Sequence, residues 1–164
     1  MLFVYLNSQN LLISTDPLTS LNNRNQLQRY LLLQREAKNS FVVMVDVDHF
    51  KQINDTYGHT EGDRALVLVS RALKKACGRL RMSIFLCRYG GDEFLMIAQT
   101  KTPKEVLKVV RGCLQEEIEN RKSSQTYTIE VSMGYASWDG RATSFRDSII
   151  NADKKMYEDK RSSL

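Results

Sequence analysis

An α+β fold, with helices packed on a sheet built around an antiparallel hairpin, is predicted by three features of the sequence. Two nearly continuous apolar runs, Ile84 to Arg88 and Glu93 to Ala98, flank Gly90-Gly91, a hairpin signal because glycine accepts positive φ. Elsewhere apolar residues recur at helical spacing, as in Ala65, Leu66, Val69, Leu73 and Ala76. The order of segments, helix, strand, helices, hairpin, helix, strand, helix, departs from strict β-α-β alternation, which favours α+β over a wholly parallel sheet.

The elements follow in chain order. Residues 1–15 open with an apolar stretch interrupted by Asn7, Ser8, Gln9 and Asn10. It falls short of the roughly 18 apolar residues a membrane span requires. It also lacks the basic start and small-residue cleavage site of a signal peptide. It is read as a connector helix or the end of an upstream segment, with the folded domain over 16–164. A helix is expected near 22–38, where Leu27, Tyr30, Leu31 and Leu33 share a face. The β-branched run Phe41 to Val45 predicts a buried strand that delivers Asp46 and Asp48 at its end.

Residues 49–57 fit a short helix and 60–76 a long one. After the hairpin, placed at the centre of the sheet because both arms are apolar, Thr102-Pro103-Lys104-Glu105 combines a capping box with proline at the first helical position. That opens a helix to about Asn120. Tyr127 to Ala136 is a further strand, and Ser144 with Asp147 begins a last helix through Lys160. A mixed sheet of ferredoxin-like or polymerase-palm-like type, with a central hairpin, accommodates this order.

Composition sets the outer bounds. The 164 residues, 42% hydrophobic and 26% charged, suffice for one domain with a real core. Cys77, Cys87 and Cys113 lack zinc or redox spacing and read as reduced core residues of a cytoplasmic domain. A net charge of +5 suits an anionic partner or a merely solvated basic surface. No G-x-x-x-x-G-K-[ST] loop is present, so a nucleotide would not bind in the P-loop manner.

Chemistry concentrates in the acids. Asp46 and Asp48 end one strand, and Asp92 and Glu93 sit beside a hairpin turn expected to pair with it, so carboxylates would converge at one edge of the sheet. Hard divalent cations take such oxygen ligands. The competing reading is that acids at strand ends and turns are simply solvated, and composition alone favours it. Phe94, Met96 and Met133 are assigned to the core from their strand periodicity.

The segment RYGGDEF (Arg88 to Phe94) lies between DPLTSLNNR (Asp16 to Arg24) with VDVDHFKQINDTYGHTEGD (Val45 to Asp63) upstream and VSMGYA (Val131 to Ala136) with ADKKMYEDK (Ala152 to Lys160) downstream. In this order and spacing the chain resembles the GGDEF-domain diguanylate cyclase family over nearly its whole length. The resemblance implies condensation of two GTP into cyclic di-GMP and two pyrophosphates. It implies two magnesium ions per site, with manganese able to substitute, and a homodimer whose half-sites face each other.

Residue by residue, it implies that Asp46, the carbonyl of Val47, Asp92 and Glu93 hold metal, with Glu93 also a candidate to activate the 3′-hydroxyl. Asn54 and Asp63 would read guanine. The backbone around His49 and Phe50, with Lys51 and Lys160, would meet the phosphates, and Gly90 and Gly91 would let the backbone approach the nucleotide. Without the family, Asn54 reads as a turn residue and Asp63 as part of a capping box with Thr60.

Departures from the family pattern accompany the matches. Ser20 stands where a glycine is usual, Asn25 where a second arginine follows Arg24, and Leu164 where the arginine of a Gly-Arg phosphate contact is expected. These bear on the triphosphate, whereas the metal and guanine positions are all present. The inhibitory R-x-x-D motif is degenerate, with Arg81 kept and Ile84 in place of the acid. An upstream sensor or membrane segment is implied as a native partner, and no nucleic acid. Two alternatives stand beside the cyclase: a non-catalytic GTP-binding GGDEF module, and a ferredoxin-like RNA-binding domain, for which RYGGDEF is a poor match to an RNP-like strand.

Overall fold

The computed structural model describes residues 13–34, 39–121 and 127–162, so most of the expected connector over 1–15 lies outside the described residues. The elements are α1 (Arg24–Leu33), β1 (Ser40–Val47), α2 (Phe50–Tyr57), α3 (His59–Leu80), β2 (Ile84–Arg88), β3 (Glu93–Gln99), α4 (Pro103–Glu119), β4 (Val131–Trp138), a 3-10 turn (Ala142–Ser144) and α5 (Phe145–Ser162). The expected α+β class is found: five helices pack on a four-stranded sheet of order β2-β3-β1-β4.

Strand alternation sorts the core into two layers, because successive side chains point to opposite faces. Val43, Val45 and Val47 of β1, with Phe94 and Met96 of β3, pack against α3 and α4. Val42 and Met44, with Leu95 and Ile97, face α1 and α5 around Leu27, Phe145, Ala152 and Met156. Each fully buried apolar side chain contributes roughly 1.5–3 kcal/mol. Both faces being covered, among the described residues no open sheet face remains on which bases could stack, which removes the surface the RNA-binding alternative needs.

Two expectations about the sheet are corrected. It is antiparallel throughout its named pairings, not mixed, and the hairpin supplies one interior strand, β3, and one edge strand, β2. The apolarity of β2 comes from helices rather than from a central place. Phe85 stacks against Tyr30 of α1 with ring centroids 4.3 Å apart. The outer edge is closed by Asn22, whose carbonyl accepts from the Arg88 N–H (2.9 Å) and whose amide donates to the Leu86 carbonyl (2.9 Å). A strand shielded this way can be as apolar as a central one.

Local signals also shift some boundaries. Asn23 caps α1 by accepting from the Gln26 N–H at 3.1 Å, two residues later than expected. At α4 the proline sits at the start as predicted. Thr102, however, makes no side-chain bond to the helix backbone; its hydroxyl donates to the Glu105 carboxylate at 3.0 Å. The last strand begins at Val131, not Tyr127, because Tyr127 is drawn off by stacking on Tyr57 (centroids 4.9 Å) and donating to the Glu61 carbonyl (2.9 Å). Cys87 and Cys113 are buried and Cys77 half-buried; burial pushes the Cys87 thiol up to about 12 and Cys77 up to about 11. No described helix is long and apolar enough to cross a membrane.

Candidate active site

Strand register brings the acids together. Asp46 on β1 lies directly opposite Glu93 on β3, and the Val47 N–H donates to the Asp92 carbonyl at 3.1 Å, tying the end of β1 to the hairpin turn. Directly opposed like charges destabilise a sheet. Burial raises the Asp46 carboxyl above the usual carboxylate range, with Asp92 and Asp48 adding to the rise and Lys160 opposing it. Glu93 is raised as well, by burial first and then by Asp46, Asp92 and Asp153. This is a concentration of negative charge that the fold alone does not require.

The turn is held from outside. Arg88 donates to the Gly91 carbonyl through Nη2 (2.7 Å) and Nε (3.2 Å), and through Nη1 to Asp16 Oδ1 (3.1 Å). Asp16 also accepts from the backbone and hydroxyl of Thr19 (2.8 and 2.7 Å). Although burial alone would raise it, the Thr19 bonds and the Arg88 guanidinium hold Asp16 below the usual carboxylate range. The Asp16–Arg24 segment is thus a brace for the hairpin tip, a role sequence reading did not assign. Ser20, in this brace, has φ +58, the left-handed region that glycine occupies without strain, which accounts for the residue type usual there.

The positive φ expected of the turn glycines is corrected. Neither Gly90 nor Gly91 has positive φ. A Cβ on Gly90 would overlap the Glu93 carboxylate, whereas one on Gly91 would meet open space. Gly90 therefore makes room for an acid of the site itself.

On the other side, His49 takes φ +55 at the cap of α2 and no side chain caps the helix, so its first N–H groups, around Phe50 and Lys51, have no capping side chain. Lys51 is exposed and Phe50 packs on the core. Asn54 lies against Gly62, where a Cβ would overlap its side-chain oxygen. Gly62 thus lets α2 and α3 approach and puts Asn54 next to the backbone that carries Asp63. The capping-box alternative for Asp63 is overturned: α3 starts at His59 with Gly58 as its cap, so Asp63 is an exposed residue inside the helix. Arg81 is exposed at the end of α3, and Ile84 packs on the core as its apolar side chain requires.

Lys160 reaches the acids from α5: its ammonium is 2.5 Å from Asp46 Oδ2 and 3.6 Å from Asp48 Oδ1. Burial would lower its proton affinity, but the two carboxylates outweigh this and raise it. Asp48, 6% exposed, accepts from the Ser132 hydroxyl at 2.7 Å. The α5 backbone crosses β4 at Gly134, where a Cβ would overlap the Ala152 carbonyl and the Met156 nitrogen. A glycine inside an apolar strand is the sequence signal of such close backbone approach.

The donor set suits a hard cation. Asp46, the Val47 carbonyl, Asp92 and Glu93 offer oxygens only. Among the described residues no three His, Cys, Asp or Glu side chains form a ready ligand cage. Magnesium does not need one, since it is commonly held by one or two carboxylates with waters and substrate phosphates.

The profile described as "Diguanylate cyclase, GGDEF domain" matches residues 13–163. This chain belongs to the GGDEF diguanylate cyclase domain family. Among curated relatives, "Probable diguanylate cyclase DgcC" of Escherichia coli K12 is 31% identical over 156 residues, covering 89% of this chain and 40% of that protein. "Diguanylate cyclase DgcP" of Pseudomonas aeruginosa is 30% identical over 156 residues, covering 90% and 22%. This GGDEF domain thus spans less than half the length of either. Among solved structures, the diguanylate cyclase SiaD of P. aeruginosa, in complex with its activator SiaC, superposes with a TM-score of 0.73 at 31% identity, covering 98% of this chain and 64% of that one. The GGDEF domain of DgcB from Caulobacter crescentus, in complex with c-di-GMP, gives 0.67 at 28% identity, covering 91% of each chain.

Proposed function

We propose that this domain is a diguanylate cyclase, joining two GTP molecules into cyclic di-GMP across a homodimer. The observation that carries the reading is the pairing of Asp46 with Glu93 beside Asp92, like charges whose carboxyls both stay raised even with Lys160 against Asp46. Asp46, the Val47 carbonyl, Asp92 and Glu93 would hold two magnesium ions, or manganese in their place. Those ions supply charge neutralisation for the attacking and leaving oxygens of an in-line phosphoryl transfer.

The chain's own residues do the rest. Asn54 and Asp63 recognise guanine, the carboxylate accepting from N1–H and N2–H. The first N–H groups of α2 and the ammonium groups of Lys51 and Lys160 receive the triphosphate. Gly90 leaves space for Glu93, which accepts the 3′-hydroxyl proton as each 3′-oxygen bonds to the α-phosphorus of the opposing GTP. The bond to pyrophosphate breaks on each side, so two pyrophosphates leave with one cyclic product. The two-fold symmetry of that product matches two identical half-sites brought face to face.

Signature acids retained in full separate this reading from a GTP-binding module without turnover. The test is incubation of the purified domain with GTP and magnesium, followed by mass detection of cyclic di-GMP over a range of protein concentrations. Product whose specific rate rises with protein concentration supports a dimeric cyclase. GTP binding without product would establish the non-catalytic module instead.

A further inference from the structure

Lys160 stands on a part of α5 that the core does not hold. The last buried residue of that helix is Met156, and among residues 157–162 none is buried; Tyr157 is 62% exposed. Besides the Lys160 contacts to Asp46 and Asp48, a polar clamp ties the final turns to the outer edge of β4. Asp159 Oδ2 accepts from the Met133 N–H at 2.9 Å and from Arg111 Nη2 at 2.7 Å, while Arg111 Nη1 donates to the Val131 carbonyl at 3.3 Å. Two edge groups of β4 are satisfied, and helices α4 and α5 are joined across the strand end.

The clamp acts where the site is built. Between Val131 and Met133 lies Ser132, which pairs with Asp46 of β1 and whose hydroxyl donates to Asp48. The same three residues of β4 therefore anchor both the turn that carries Lys160 and the acids that Lys160 meets. We propose that Asp159 and Arg111 are positioning residues that set the place of the Lys160 ammonium and so the affinity for the nucleotide triphosphate. The inference rests on the cyclase reading for the identity of that ligand.

The experiment compares wild type with Asp159→Ala, Asp159→Asn, Arg111→Ala and the Asp159→Ala/Arg111→Ala double variant. GTP affinity is measured calorimetrically with magnesium, steady-state kinetics give KM and kcat, and side-chain nitrogen NMR reports the Lys160 ammonium in nucleotide-free protein. Asp159→Ala is expected to weaken GTP binding and raise KM about five- to tenfold with kcat within about twofold, the pattern of lost ground-state binding. It should also abolish the exchange-protected Lys160 signal. Asp159→Asn keeps an acceptor for Met133 and Arg111 and should restore most of both, and the double variant should be no worse than the poorer single one. Unchanged GTP affinity and an unchanged Lys160 signal in Asp159→Ala, with only a lower melting temperature, would overturn the clamp. Absence of GTP binding by wild type would overturn the cyclase reading instead, and the NMR signal in nucleotide-free protein would still decide whether Asp159 places Lys160.

Discussion

Acids occupy two contrasting settings in this domain. Along the α3–α4 seam they meet bases: Glu116 pairs with Arg79 (2.6 Å) and Lys75 (2.8 Å), and Glu117 with Lys75 (3.4 Å). The Arg79 and Lys75 hydrogen bonds hold the Glu116 carboxyl down to about 2. At the end of β1 the acids outnumber the one base that reaches them, Lys160, and burial with mutual repulsion raises both Asp46 and Glu93. The seam is arranged as a fold would arrange it, with opposite charges together. The strand end stores repulsion, which is typical of a site waiting for a cation.

The contrast breaks most sharply on alanine substitution. Asp46→Ala, Asp92→Ala or Glu93→Ala should lower cyclic di-GMP synthesis by roughly 10³-fold or more while circular dichroism stays native, since on the proposed reading the charges removed serve metal and not core. Near-normal turnover in any of them would refute its assigned role. Asp46→Ala should in addition reduce the magnesium dependence of GTP binding. Next in size is base recognition: Asn54→Ala and Asp63→Ala should each weaken GTP binding by about 1–3 kcal/mol, leaving guanine donors unpaired. A lower melting temperature with GTP affinity intact would return Asp63 to a structural role. ATP should be a poor substrate.

How far the site was readable in advance follows from which forces are local. The strand delivering Asp46, the hairpin beside Asp92 and the helix bearing Lys160 are written in short-range periodicity, and the motifs set the acids at the strand end and the turn. Position in the sheet is not local: β2 looks central because α1 and Asn22 shield it, and nothing within its five residues, Ile84–Arg88, records that. The brace of Asp16 on Arg88 joins residues 72 apart, and the Arg111–Asp159 pair joins residues 48 apart. Such partners are invisible to spacing rules. Gly62 and Gly134 were legible as residues, but their purpose, close approach of Asn54 and of α5, appears only with the neighbour present.

Backbone effects come next. Gly134→Ala should destabilise the domain by about 1–3 kcal/mol, because its Cβ meets helix backbone that cannot rotate away. Chemical denaturation would show this as a lower midpoint, and an unchanged midpoint would mean that α5 slides freely over β4. A smaller effect of opposite sign is expected at the brace. Ser20→Gly should stabilise by about 0.5–1 kcal/mol, as relief of the left-handed conformation outweighs the added freedom of the unfolded chain. Loss of stability there would mean that Ser20 contributes a contact worth more than its strain.

The central claim is that the facing carboxylates are kept for chemistry at a cost to the fold, and thermal melting of Glu93→Gln without metal tests it most directly. Glu93 has a raised folded-state pKa, so its ionised form disfavours folding above that pKa. The penalty fades as pH falls through the folded value toward the unfolded one near 4.3. At neutral pH the glutamine variant should therefore melt higher than wild type by a few degrees. That corresponds to on the order of 0.5–1 kcal/mol, held to this size by solvent screening at a partly exposed site. The gap should narrow as pH is lowered toward 4, and cyclic di-GMP synthesis should be lost. A Glu93→Gln protein that melts lower than wild type at neutral pH would show that the acid supports the fold, and would contradict the account.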